Sequence, residues 1–352
     1  MIDSLDEELT LAARYLDPAL LSPEGLDHIA AIARRLPRVS ALGFECRLGE
    51  PGPRADFGVR FLRDDKRAPA GYAEALAPAA RRLVESEVWR RLLAFCDRWN
   101  DPGDALHRGI EDIFLEFDVT GPPQAIPIPS FFLELDKGAS RALTGEVTLA
   151  ALEILGGGAP SSALREGFCR ALEALPRGAK VTAVGSMLSR ATRSVRVCIT
   201  GLPALAVPGY VAAAGWPGDP GALAALIASV ASGVDRVEPC FDLGDAFGEK
   251  MGVELQIDGP RREKRARWAP VLDGLVASGR CLPEKRGALG RWMGYARTQE
   301  EAVCLISREI NHVKLVHQRG RPLEAKAYLA FLRTWHERAP RVGAELEPSP
   351  PR

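Results

Sequence analysis

Apolar and polar residues alternate along the chain in short runs. These come in pairs, and a stretch of helical period separates each pair from the next. Leu42, Phe44 and Cys46 alternate with Gly43, Glu45 and Arg47; after a Gly-Pro turn, Phe57, Val59 and Phe61 alternate with Gly58 and Arg60. Two period-2 runs joined by a turn predict a β-hairpin. The plan recurs: Ile113, Leu115, Phe117 and Val119 alternate with Phe114, Glu116 and Asp118, and past Gly121-Pro122-Pro123 come Phe131, Leu133 and Leu135 against Phe132, Glu134 and Asp136. A third hairpin joins Lys180–Leu188 to Ser194–Thr200, with Val195, Val197 and Ile199 opposite in facing to Arg196 and Cys198. The fourth sets Val237, Phe241 and Leu243 with Met251, Val253, Leu255 and Ile257, leaving Glu238, Cys240, Asp242, Glu254 and Gln256 on the other face. Ile310–His317, a Gly320-Arg321-Pro322 turn and Glu324–Phe331 make the fifth.

Helices fill the intervals. Glu7–Tyr15 and Pro23–Leu36 form a lead-in, with Ser22 placed to cap the second helix and Pro23 at its first position. Val84, Val88, Leu92, Phe95 and Trp99 form one stripe on a helix over about 72–99. Further helices are expected around Leu149–Leu155, Ser162–Leu175, Ala222–Ser232 and Arg261–Ser278, and from Thr298, which has capping-box spacing to Glu301. The Pro-rich end, residues 338–352, reads as a disordered tail. The domain plan is thus a helical lead-in over 1–36, one barrel-like domain over 37–337, and the tail.

Five hairpins separated by helices amount to a degenerate α–β–β–α repeat. The fold class is therefore α+β: a ten-stranded antiparallel barrel of five such units, with the helices outside. Closure removes the sheet edges. Eight strands nearly fill a barrel with their own side chains, so ten should leave a lumen for a small molecule or a peptide end. The competing arrangement is two α+β domains divided near Gly156-Gly157-Gly158.

With helices covering the apolar strand faces, the inward set comprises Glu45, Arg47, Arg60, Phe114, Glu116, Asp118, Phe132, Glu134, Asp136, Arg196, Glu238, Asp242, Glu254, Lys314, Lys326 and Tyr328. Both signs of charge are present. The whole chain is balanced too, with 46 Lys and Arg against 46 Asp and Glu, so it has no general attraction for nucleic acid or an anionic membrane. The seven Cys show no CxxC and no regular spacing, which reads as reduced intracellular thiols. The acidic start, Met1-Ile2-Asp3-Ser4-Leu5-Asp6, is unlike an export signal, and the apolar stretches Leu202–Trp216 and Ala222–Val234 are too short to span a bilayer. A cytoplasmic location is expected.

A diphosphate-handling barrel needs converging Arg and Lys with little opposing carboxylate, and the acids of the inward set argue against it. Glu116 with Asp118, and Glu134 with Asp136, lie two apart on one face, where oxygens could converge on Mg²⁺; the simpler reading pairs them with the lumen Arg and Lys. His312 and His317 point to opposite faces of one strand and fit a metal site poorly. Cys198 and Cys240 face inward, with no His tied to either by sequence. No metal or cofactor is therefore expected. The Gly156-Gly157-Gly158 loop lacks the Gly-Lys-Ser/Thr of a P-loop. The basic run Arg261, Arg262, Lys264, Arg265 and Arg267 reads as a solvated helix face that could also dock an acidic leader peptide or partner.

Two resemblances add to this. The barrel of five α–β–β–α units, over about residues 38–335, is similar to that of soluble aromatic prenyltransferases. The segment Ile310-Asn311-His312-Val313-Lys314-Leu315-Val316-His317, followed by Arg321-Pro322-Leu323-Glu324-Ala325-Lys326-Ala327-Tyr328-Leu329, resembles the C-terminal signature of proteins encoded beside ribosomal-peptide tailoring enzymes. These include the peptide-binding accessory proteins of crocagin biosynthesis. The second resemblance implies a non-catalytic protein that binds a precursor peptide and presents it to a separate tailoring enzyme. A groove with charge and aromatics suits a peptide, and the expected peptide-binding residues are Arg47, Phe114, Glu116, Asp118, Phe132, Glu134, Arg196, Glu238, Lys314, Lys326 and Tyr328. The alternative is an aromatic prenyltransferase using an allylic diphosphate. A purely structural protein is disfavoured by the polarity of the inward face.

Overall fold

Pairs of helices alternate with β-hairpins five times around the molecule. The structure, a computed structural model, describes residues 5–36, 39, 41–63, 81–119, 121, 124–190, 194–298 and 303–336. The hairpins are β1 (Ala41–Arg47) with β2 (Ala55–Leu62), β3 (Ile110–Phe117) with β4 (Ser130–Leu135), β5 (Lys180–Ser186) with β6 (Val195–Thr200), β7 (Arg236–Leu243) with β8 (Phe247–Gln256), and β10 (Val303–His317) with β11 (Glu324–His336). Every neighbouring pair is antiparallel, and the order β1 through β8, then β10 and β11, returns to β1. Ten strands thus close into a barrel. That closure excludes a division into two domains near Gly156-Gly157-Gly158.

An eleventh strand, β9 (Gly294–Thr298), pairs only with the first half of β10, from Cys304↔Thr298 to Arg308↔Gly294. It corrects the helix expected from Thr298: the residue ends a strand, and Glu301 lies outside the described residues. The Thr-x-x-Glu spacing satisfies a cap only where helical backbone follows, and here pairing with β10 takes the backbone instead. The stripe helix is also shorter than expected. Arg81–Glu85 is a 3₁₀ turn and the α-helix is Glu87–Trp99; residues 72–80 of the expected span, like the 338–352 tail, lie outside the described residues.

The outer wall is the core. Phe44, Phe57, Phe61, Phe117, Phe131 and Phe241 point out from the strands and are buried with Trp89, Trp99, Trp268 and Trp292 from the helices. Phe131 meets Phe95 edge to face at 5.0 Å. Ser22 caps the helix Pro23–Ala33 as expected, its Oγ accepting from the Gly25 amide at 3.1 Å, and Leu5, Leu9, Ile29 and Ile32 join the same continuous core. The helices Val207–Ala214 and Pro283–Trp292 were not foreseen, because Pro and Gly interrupt their patterns. Among the described residues, no helix is long and apolar enough to cross a membrane. With every apolar strand face committed to the helices, period 2 sends the remaining side chains into the barrel.

Candidate functional site: a charged lumen

The lumen encloses about 800 Å³, within the range of small-molecule pockets. All eleven residues expected to contact a ligand line it: Arg47, Phe114, Glu116, Asp118, Phe132, Glu134, Arg196, Glu238, Lys314, Lys326 and Tyr328. Strand register decides their neighbours. Phe114 lies opposite Phe132, Arg196 opposite Asp242, Lys314 opposite Glu254, and Tyr328 opposite Glu45. Inward glycines make room for long side chains. A Cβ on Gly185 would stand 2.2 Å from the Phe132 ring, and one on Gly252 would stand 2.5 Å from Cε of Lys314. Each glycine is the floor on which a neighbour's side chain lies.

Asp136 departs from the expected inward set. It does not line the lumen; its carboxylate accepts from the Gly138 amide at 2.8 Å, shaping the turn after β4. Alternation ends where the strand ends, at Leu135. Conversely, the lumen recruits residues that the sequence reading did not single out. Asp56, Arg190 and Arg236 line it, Arg190 from the connection after β5. Asp56 and Arg236 follow the inward parity of their strands and were legible; Arg190 is on no strand and was not.

Carboxylates and cations inside the barrel are matched almost one to one. Lys326 donates to Glu45 at 2.8 Å, Lys314 to Glu254 at 3.0 Å, Arg47 to Asp56 at 2.9 Å, and Arg190 pairs with Asp118 at 2.9 Å. Arg60 binds both Asp112 and Glu134 while stacking over Phe114, its carbon 5.1 Å from the ring centre. Arg196 forks onto Asp242 with bonds of 2.9 and 3.2 Å, and Arg236 bridges Glu238 and Asp258. The Mg²⁺ reading of the acid pairs thus gives way: Asp118 and Glu134 hold arginines, and Asp136 faces its own turn.

Burial and pairing set the ionisation. Burial alone would raise the Glu254 carboxyl; Lys314, His312 and hydrogen bonds outweigh it and hold it at about 2. Glu45 is likewise held at about 2, burial being overcome by Lys326, by hydrogen bonds from Lys326 and Tyr328, and by Lys314. Glu116 goes the other way, to about 7, through burial first and then the nearby Glu45 charge. Among the described residues, none gives it a salt bridge or a hydrogen bond.

Cys198 and Cys240 are direct cross-strand partners with their Sγ atoms 2.6 Å apart. Together with a Glu254 oxygen they form three potential metal-donor atoms within 4.8 Å of one another. The Lys314 ammonium already hydrogen-bonds Cys240 Sγ at 3.2 Å and Glu254 at 3.0 Å, so the cation resident there is the protein's own. His312 stacks on Tyr328 at 4.1 Å inside the lumen, whereas His317 packs on Trp216 outside.

No family model and no curated protein matches this chain in sequence. Solved structures do match it in shape. Prenyltransferase PriB in its apo form superposes with a TM-score of 0.57 at 16% identity, covering 93% of this chain and 96% of that one. A 5-dimethylallyl tryptophan synthase from Streptomyces coelicolor, in complex with DMASPP and Trp, gives 0.53 at 16%, covering 98% and 99%. The 6-dimethylallyltryptophan synthase from Micromonospora olivasterospora gives 0.53 at 16%, covering 92% and 95%. The chain therefore has the fold of the aromatic prenyltransferase barrels over nearly its whole length.

Proposed function

We propose that the barrel is a peptide-binding protein that holds a segment of a ribosomal precursor peptide and presents it to a separate tailoring enzyme. The observation that carries this is the pairing inside the lumen. Of the eleven lysines and arginines that line it, nine (Arg47, Arg60, Lys137, Arg190, Arg196, Arg236, Arg261, Lys314 and Lys326) have a carboxylate within 4.0 Å, while Lys180 donates to the Lys137 carbonyl and Lys250 has no ion pair among the described residues. A diphosphate needs several uncommitted cations around it, and here binding one would mean prying arginines from their acids and leaving those acids unpaired. A peptide carries donors, acceptors and both charges, and can exchange with such pairs one at a time. Phe114 and Phe132 supply the apolar contacts. Held in one orientation, a residue is offered to the tailoring enzyme with part of its entropy of positioning already lost.

The fold favours a second reading, prenyl transfer from an allylic diphosphate to an aromatic acceptor, because the solved structures of this shape are prenyltransferases. The two separate in one experiment. Calorimetric titration with ribosomal precursor peptides is expected to give saturable binding for one of them, while dimethylallyl diphosphate leaves the melting temperature unchanged. No heat with any such peptide, together with a melting shift by the diphosphate, would reverse the choice.

A further inference from the structure

Among the described carboxylates that line the lumen, Glu116 is the one without an ion pair or a hydrogen bond. Its side chain leaves the middle of β3 beside Gly58, where a Cβ would stand 3.9 Å from Glu116 Cγ, and opposite Ser130. The groups that could satisfy it are committed elsewhere. Ser130 Oγ shares its hydrogen bond with Ser189 Oγ at 3.2 Å, and Ser189 in turn donates to Asp118. Lys314, on β10, serves Glu254 and Cys240, and Arg196, on β6, serves Asp242. The Tyr328 hydroxyl, on β11, donates to Glu45. The charges that bear on Glu116 from the other strands are therefore two more carboxylates, Glu45 on β1 and Glu254 on β8, and the committed Lys314 and Arg196; among the described residues none donates a hydrogen bond to it.

Glu116 is partly buried, and a carboxyl that faces a cavity with no protein donor takes its hydrogen bonds from water or from a ligand. Glu116 faces the cavity, so the missing donor has its place there. Two residues back along β3, on the same face, stands Phe114, with Phe132 opposite it on β4. We propose that Glu116 is the anchor of the lumen and captures a protonated primary amine of the bound molecule, whose apolar body rests against Phe114 and Phe132. Resting on the peptide reading, this names the peptide group recognised: an N-terminal ammonium or a lysine side chain. A cation placed there favours the charged carboxylate, so binding releases a proton near neutral pH.

The probe is 2-phenylethylamine, titrated calorimetrically into the wild-type protein and into Glu116→Gln, with its N-acetyl derivative as the neutral counterpart. Expected is saturable binding of the amine to the wild type, at least tenfold weaker binding of the acetylated form, and at least a tenfold loss for the amine in Glu116→Gln with no change for the acetylated form. The amine's affinity should rise several-fold from pH 6 to pH 8, and its heat should depend on the ionisation enthalpy of the buffer. An amine that binds both proteins equally, or does not saturate the wild type in the millimolar range, overturns the proposal. Phe-Gly-Gly against N-acetyl-Phe-Lys-Gly amide then tells a terminal from a side-chain amine by which binds tighter. A precursor peptide that binds wild type and Glu116→Gln alike removes the anchor but leaves the peptide reading. Glu116-dependent amine binding with no heat from the precursor peptide does the reverse.

Discussion

The two faces of the barrel wall are built from alternate residues of the same strands, yet they obey different rules. Outward, Phe44, Phe57, Phe117 and Phe131 are almost wholly buried against helices, and stability there scales with apolar area and fit. Inward, Glu254 and Lys314 are mostly buried and Glu45 and Lys326 partly so, and they are held by mutual neutralisation. Volume-conserving apolar exchanges are expected to be mild on the outer face, whereas on the inner face removing one member of a pair strands the other charge. Glu116, among the described residues, has no such partner.

Mutations can test this contrast. The largest effect is expected outside: Phe131→Ala removes a fully buried ring packed on Phe95 and should cost about 3–5 kcal/mol in urea unfolding. Inside, Lys314→Met should be nearly as damaging because it strands the Glu254 carboxylate, but Lys314→Met with Glu254→Leu should recover most of the loss. If the double variant stayed as unstable as the single one, the lumen would be governed by packing like the outer wall. Next comes the acid limb. Glu45 and Glu254 are held at about 2, below their usual 4.5, so their contribution is intact above pH 4.5 and is lost as pH falls towards 2. Chemical denaturation across that range should show stability dropping by a few kcal/mol, and Glu254→Gln should flatten the slope.

The smallest effect has the opposite sign. Glu116 is raised from 4.5 to about 7, so the native state holds its proton more tightly and loses stability as pH climbs between those values. Glu116→Gln should therefore match the wild type near pH 4.5 and exceed it by about 1–3 kcal/mol at pH 8. A variant less stable at pH 8 would mean that the carboxylate is already satisfied.

Much of the site was legible because period 2 is a strong signal when one face must be apolar. Once Phe57, Val59 and Phe61 are assigned to one side, Gly58 and Arg60 have nowhere to go but the other, and a one-residue slip would bury the wrong set. The same logic failed at Asp136, one residue past the end of β4, and could not find Arg190, which reaches the lumen from a loop. It also mistook Thr298 and Glu301 for a helix start, since a capping pattern carries no information about whether a neighbouring strand will claim the backbone.

The hairpins and the inward direction of Glu45, Glu116, Glu254 and Lys314 were properties of the sequence alone, because steric alternation along a strand is local. Which carboxylate meets which cation was decided only by closure: Lys326 reaches Glu45 because the last strand pairs with the first. So too with Glu116. That it lies among committed donors, with a cavity before it, follows from six strands brought around one axis, a long-range arrangement that local alternation does not encode.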